Sequence, residues 1–149
     1  MIIYIGADHR GFQLKEILKK QLSESGYEFV DVGNDHYDEN DDYPDFAASV
    51  GQAINQDPLN RRGILVCGSG AGVDIVANKF KSVRSVLAIN SDQALASRND
   101  DDTNVLSLAA DFLTEDEAKK ILATWLQAPF SSNENHQRRL EKIKQTEVR

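Results

Sequence analysis

The sequence of 149 residues predicts an α/β fold in which a doubly wound parallel sheet is covered by helices on both faces. Three observations lead there. Short strand-type runs alternate with longer segments whose apolar residues recur at helical spacing. Gly63-Ile64-Leu65-Val66 carries an unbroken apolar run, the pattern of a strand buried on both faces. Two glycine-bearing turns, at Gly6 and Gly68, each follow a strand, and ligands in such sheets sit beyond the carboxyl ends of the strands, near a change in strand order.

The first strand is Ile2 to Ile5, followed by the turn Gly6-Ala7-Asp8-His9-Arg10-Gly11. From Phe12, Leu14, Leu18 and Leu22 with Ile17 fall on one helical face, and the helix ends near Gly26. A second strand, Tyr27 to Val32, leads into an acidic loop, Gly33 to Asp42. Tyr43-Pro44 opens a helix through Phe46, Ala47, Val50 and Ile54, because proline is tolerated in a first turn. After the loop Asp57 to Asn60 comes the third strand, Gly63 to Val66, then a helix that takes in Val73, Ile75, Val76 and Ala77. The fourth strand spans Val83 to Ile89, and Ser91 is placed to cap a short helix through Ala94 and Leu95. A fifth strand, Asn104 to Leu108, follows the acids Asp100, Asp101 and Asp102. Thr114 and Glu117 form a capping box for a helix over Glu115 to Leu126, in which Ile121, Trp125 and Leu126, with Phe130 beyond, read as packing. The last segment, Glu134 to Glu147, is a charged extra C-terminal helix with Leu140 and Ile143 as its sparse apolar positions. One domain, residues 1–149, is expected throughout.

Composition narrows the function. The 17 basic against 24 acidic residues give a net charge of -7, which disfavours nucleic acid and anionic membrane as partners. No segment has the roughly 20 apolar residues that cross a bilayer, and the short apolar start meets Asp8 too soon for a signal peptide. With a single cysteine and no export signal, a cytoplasmic setting is the expectation. His9, His36 and His136 lack metal-ligand spacing, so no metal site is expected. The glycines at 68, 70 and 72 lack the G-x-G-x-x-G spacing of a dinucleotide loop.

That lone cysteine, Cys67, stands where the third strand enters Gly68-Ser69-Gly70-Ala71-Gly72. It reads either as a small core hydrophobe or as a nucleophile or base on a loop whose amides point at a ligand. His36 and the acids Asp38, Glu39, Asp41 and Asp42 read as a solvated rim. Asp45 reads as a helix-start charge, and Asp74 as either a helix-end charge or a second acid close to Cys67.

Gly6-Ala7-Asp8-His9 with Gly11 and Leu14-Lys15, then Asp42-Tyr43-Pro44, then Gly63 to Gly72 with Ala77-Asn78-Lys79, then Ser97-Arg98 and Thr103-Asn104-Val105-Leu106 occur in one order. Together they resemble the type B ribose-5-phosphate isomerases and their galactose-6-phosphate isomerase relatives, over nearly the whole chain. The resemblance implies a three-layer α/β/α sandwich around a five-stranded parallel, Rossmann-like sheet. It implies a cofactor-free aldose-ketose isomerase acting on a sugar phosphate, first of all ribose 5-phosphate and ribulose 5-phosphate, with a hexose 6-phosphate or unphosphorylated aldose as substrate, or a non-catalytic sugar-phosphate binding role, as the alternatives. It further implies a homodimer or dimer of dimers with sites at the subunit interface. Cys67 is then the base, while Ser69 and the amides of Gly68, Gly70 and Gly72 steady the enediolate. Asp8 contacts sugar hydroxyls, His9 and Arg139 bind phosphate, and Tyr43 walls the pocket. Relatives with a glutamate base carry it where Val73 stands here.

Three positions depart from the pattern. Asp100 stands where relatives place the histidine that opens the sugar ring, and an ionised aspartate does not donate a proton as imidazolium does. Asp111 stands in place of a phosphate-binding arginine, exchanging an attraction for a repulsion. Asn135 replaces the first arginine of a C-terminal pair, leaving His136 and Arg139 in register and Arg138 nearby. Arg139 is expected to reach the pocket of a neighbouring subunit.

Overall fold

Apolar side chains that alternate along each strand need cover on two faces, and the molecule supplies it with two layers of helices. The structure, a computed structural model, describes residues 1–147. Its strands are β1 (Ile2–Ala7), β2 (Phe29–Asp31), β3 (Arg61–Cys67), β4 (Ser85–Leu87) and β5 (Val105–Ala109). The helices are α1 (Phe12–Glu24), α2 (Tyr43–Gln56), α3 (Ala71–Ala77), α4 (Ser91–Asp101), α5 (Glu115–Gln127) and α6 (Glu134–Thr146). All strand pairs are parallel, in the order β2-β1-β3-β5-β4. No helix of the described residues is long and apolar enough to cross a membrane.

Strand order and right-handed crossovers together assign the faces. The steps β1 to β2 and β4 to β5 move one way across the sheet, and the steps β2 to β3 and β3 to β4 move the other. Accordingly α1, α4 and α5 bury Leu14, Leu18, Leu22, Ala94, Ile121, Leu122 and Trp125 against Ile3, Ile5, Ile64, Val66, Leu106 and Leu108. On the other face α2 and α3 bury Val50, Ile54, Val73 and Ala77 against Leu65, Cys67 and Val105. Each large aliphatic side chain so buried contributes about 1.5–3 kcal/mol. The indole of Trp125, fully buried, donates to Thr103 Oγ1 at 2.9 Å.

Most elements lie where the sequence places them, and the capping box of α5 is present, with Thr114 Oγ1 accepting from the Glu117 amide and Glu117 accepting from the Thr114 amide. The fourth strand and its helix differ. Val83, expected within the strand, is buried ahead of it among α2 and α3 residues, while Ile89 is 67% exposed beyond its end, so β4 keeps only three residues. The helix after it is longer than expected and is capped by Asn90, not Ser91, through a 2.8 Å bond from the Gln93 amide. It absorbs Asp100 and Asp101 and stops at Asp102, which takes the left-handed conformation.

Helix α6 buries no residue. It runs past the end of α4 toward the turn before β4, where Glu147 accepts from the Ser82 amide at 3.0 Å. A cleft of about 690 Å³, lined by Phe80, Val83, Arg84, Asp101, Ile143 and Glu147 among others, separates it from the body at the amino edge of the sheet.

Candidate active site

The strand order reverses between β1 and β3, and one step past the Ala7–Val66 pairing stand Asp8 and Cys67. They mark the crevice where open parallel sheets hold ligands. Cys67 is 4% exposed and Asp8 is 5% exposed. The residue closes the α2/α3 core cluster, as the core-hydrophobe reading has it, and its Sγ also accepts a hydrogen bond from the Gly70 amide at 3.1 Å. Gly70 has φ of 73°, which lets the chain double back and aim that amide at sulfur. Ser69 is exposed at the tip of the loop. The ring of Tyr43 lies on Gly72, where a Cβ would sit 2.6 Å from Tyr43 Cε2, so Tyr43 walls the glycine loop.

Asp8 turns its carboxylate onto the Gly11 amide at 2.9 Å. Burial pushes its carboxyl above the ordinary range, against the pull of that amide and of His9. His9 is held by Asp41, whose Oδ1 accepts from the His9 amide and bonds Nδ1, each at 2.8 Å. That bond raises the His9 imidazole above its usual range. The reading of Asp41 as part of a solvated rim is therefore corrected: its side chain is 6% exposed and belongs to the site. His36, 73% exposed and paired with Asp35, is the solvated side chain expected. Asp74 binds Ser85 Oγ at 2.7 Å, which ties α3 to β4 and gives this acid a structural partner.

Arg10 escaped sequence reasoning. Its guanidinium occupies the space beside Gly68 and pairs with Asp111, so one ion pair spans the turns after β1 and β5 across the turn after β3. The expected repulsion from Asp111 is corrected accordingly, because an arginine matches its charge. The signal in the sequence was an arginine within two residues of Asp8, with no spacing to link it to position 111.

Asp100 and Arg139 lie elsewhere. Helix α4 runs from the carboxyl edge back to the amino edge, so the nine steps from Ser91 carry Asp100 about 14 Å along it toward the amino edge. There His136 of α6 comes to 3.7 Å from Asp100 Oδ1, with its other ring nitrogen 2.6 Å from Ser131 Oγ. Arg139 is exposed one turn further along α6. One chain thus gathers Asp8, His9, Tyr43, Cys67, Ser69 and the glycine loop at one edge, and Asp100, His136 and Arg139 at the other.

Residues 3–143 match the Ribose/Galactose Isomerase family. A probable ribose-5-phosphate isomerase B of Mycoplasma genitalium is 40% identical over 141 residues, 95% of this chain and 92% of that protein. The Escherichia coli ribose-5-phosphate isomerase B is 38% identical over 147 residues, 99% of this chain and 97% of that protein. The crystal structure of the M. genitalium enzyme with bound ribulose 5-phosphate superposes with a TM-score of 0.95, covering 98% of this chain and 95% of that one. Edge geometry, strand order and sequence agree, and the chain belongs to the ribose/galactose isomerase family.

Proposed function

We propose that this chain is an aldose-ketose isomerase that interconverts ribose 5-phosphate and ribulose 5-phosphate as one domain, without a cofactor, through sites shared between two copies. The observation that carries the reading is the Cys67 sulfur at the strand-order switch, held by the Gly70 amide and next to buried Asp8. Isomerisation needs one base to lift a weakly acidic proton and return it, beside donors for the charge that grows on oxygen. Cys67 as thiolate takes the proton from C2 of the open aldose. The electrons of that bond form C1=C2, and negative charge moves to O1. Ser69 and the amides of Gly68, Gly70 and Gly72 steady the enediolate, the hydroxyl proton passes from O2 to O1, and Cys67 returns its proton to C1. Asp8 orients the sugar hydroxyls, with Tyr43 as the wall. The thiol must stay reduced, which fits a cytoplasmic setting.

The phosphate and the closed ring need the other edge. His9 meets the phosphate from one copy and Arg139 from the second copy. Ring opening uses the pair that α4 and α6 bring together: Asp100 takes the proton of the anomeric hydroxyl while His136 gives one to the ring oxygen. Support for a second copy comes from Ile89, 67% exposed, and Phe112, 77% exposed, on the turns after β4 and β5 at the carboxyl edge, and from an α6 in which no residue is buried. The reading takes the assembly to be a homodimer or a dimer of dimers.

Turnover of ribose 5-phosphate, recorded with deuterium uptake at C2 in heavy water, tests the reading. Exchange that accompanies turnover and disappears in Cys67→Ala is the expected result. Tight binding of ribose 5-phosphate with no exchange in the unaltered protein contradicts it.

A further inference from the structure

A continuous chain of hydrogen bonds leads from the core to His9. Lys15 of α1, fully buried, donates to Asp31 Oδ2 at 2.7 Å and to the Asn34 carbonyl at 2.6 Å. Asn34 in turn donates to Asp41 Oδ2 at 2.9 Å, which leaves Asp41 Oδ1 to hold His9 at both its amide and its ring. A buried ammonium is costly unless its donors are met, so the lysine pins the β2–α2 loop where Asn34 sits. The loop then delivers a nearly buried carboxylate to one ring nitrogen only.

We propose that Asp41 is a positioning residue for the isomerase: by bonding Nδ1 it fixes the His9 ring and keeps Nε2 an N–H donor toward the phosphate of the substrate, with Asn34 and Lys15 holding Asp41 in place. The inference rests on the reading of His9 as a phosphate ligand. Its logic is the tautomer. A neutral ring that gives its single hydrogen to Asp41 presents a lone pair at Nε2 and repels phosphate, whereas the imidazolium donates from both nitrogens. The groups that face the ring are Asp41 from the β2–α2 loop, Asp8 and Arg10 from its own turn, and the edge-on ring of Tyr37 at 6.3 Å. Among them the Asp41 bond acts most strongly to retain the second proton, Asp8 adds to it, and desolvation and Arg10 oppose it. Substrate affinity is thus expected to fall as pH rises through the raised titration of His9, and also to fall in acid, where a phosphomonoester loses its second charge below about pH 6.

Asp41→Asn keeps the shape and removes the charge. It is expected to raise KM for ribose 5-phosphate about tenfold while kcat stays within about threefold. The alkaline limb of kcat/KM, and the His9 titration followed by imidazole NMR, both move to lower pH. In a His9→Ala background the same substitution adds nothing further to KM. Asn34→Ala, which keeps the carboxylate and frees it, raises KM less and leaves the His9 titration raised; it reads the positioning should Asp41→Asn fail to fold. An unshifted His9 titration in Asp41→Asn, or a KM rise that adds in full to that of His9→Ala, overturns the proposal. Unchanged KM in His9→Ala overturns instead the reading of His9 as phosphate ligand, and the NMR titration then decides by itself whether Asp41 holds the ring.

Discussion

The carboxyl and amino edges of this sheet carry the two parts of one proposed site under opposite physical conditions. At the carboxyl edge, Asp8, His9 and Cys67 rest on turns held by buried strands and by the Lys15, Asn34 and Asp41 bonds. At the amino edge, Asp100 is half exposed beside α6, a helix with no buried residue, and Arg139 is exposed on that helix. Proton abstraction from carbon needs a base and oxyanion donors already in place, which buried turns provide. Phosphate capture and ring opening tolerate groups that arrive with a second subunit. On the proposed reading, the difference teaches that rigidity is placed where the carbon chemistry would occur, and that the exposed half would be completed by a second copy.

The largest expected break in that comparison is Cys67→Ala, which should lower kcat by about a thousandfold or more while the fold persists, since a positioned base is worth about 10²–10⁴. Turnover and circular dichroism measured on one preparation check it. Next is the amino-edge pair. Asp100→Asn or His136→Asn should slow ribose 5-phosphate turnover about a hundredfold and leave proton exchange at C1 of ribulose 5-phosphate within about threefold, because that ketose forms no furanose ring and skips the opening step. Equal loss of both would place the pair in the proton transfer itself and erase the division between the edges.

A smaller effect sharpens the contrast in stability. Burial acts to raise the Asp31 carboxyl, but the Lys15 and Lys19 ammonium groups and the Gly33 amide together hold it below its ordinary range. A carboxyl with a folded pKa below its unfolded value contributes stability above the unfolded pKa, and that contribution is lost as pH falls through the folded one. Asp31→Asn should therefore cost about 2 kcal/mol near neutrality, a figure discounted for the partial exposure of Asp31, and the cost should fade below about pH 4. Arg139→Ala, on the exposed side, should leave the melting temperature unchanged. Thermal melts of both variants from pH 2 to 8 make the comparison.

Local chemistry made much of this legible before any coordinates. The apolar run before Cys67, the leucines of α1 and the Thr114–Glu117 box each state their structure within a few residues. The glycine turn announced the crevice, because φ of 73° at Gly70 is a backbone demand visible in the sequence. What escaped was long-range pairing. Asp41 reaches His9 across 32 positions and Arg10 reaches Asp111 across 101, and neither distance leaves a periodic trace. The burial of Lys15 was hidden for a related reason: its partners Asp31 and Asn34 lie on another element. The placement of Asp100 beside His136 likewise depends on how α6 crosses under α4, which composition does not encode.

Subunit complementation tests the central claim, that one site is built from the carboxyl edge of one copy and the amino edge of another. Cys67→Ala and a paired Asp100→Ala, Arg139→Ala variant, each inactive alone, are co-expressed with different tags and purified together. Random pairing into two-fold dimers gives one intact site in half of the dimers, so about a quarter of the unaltered activity should return. Mixed dimers that form and remain as inactive as their parents would contradict a shared site.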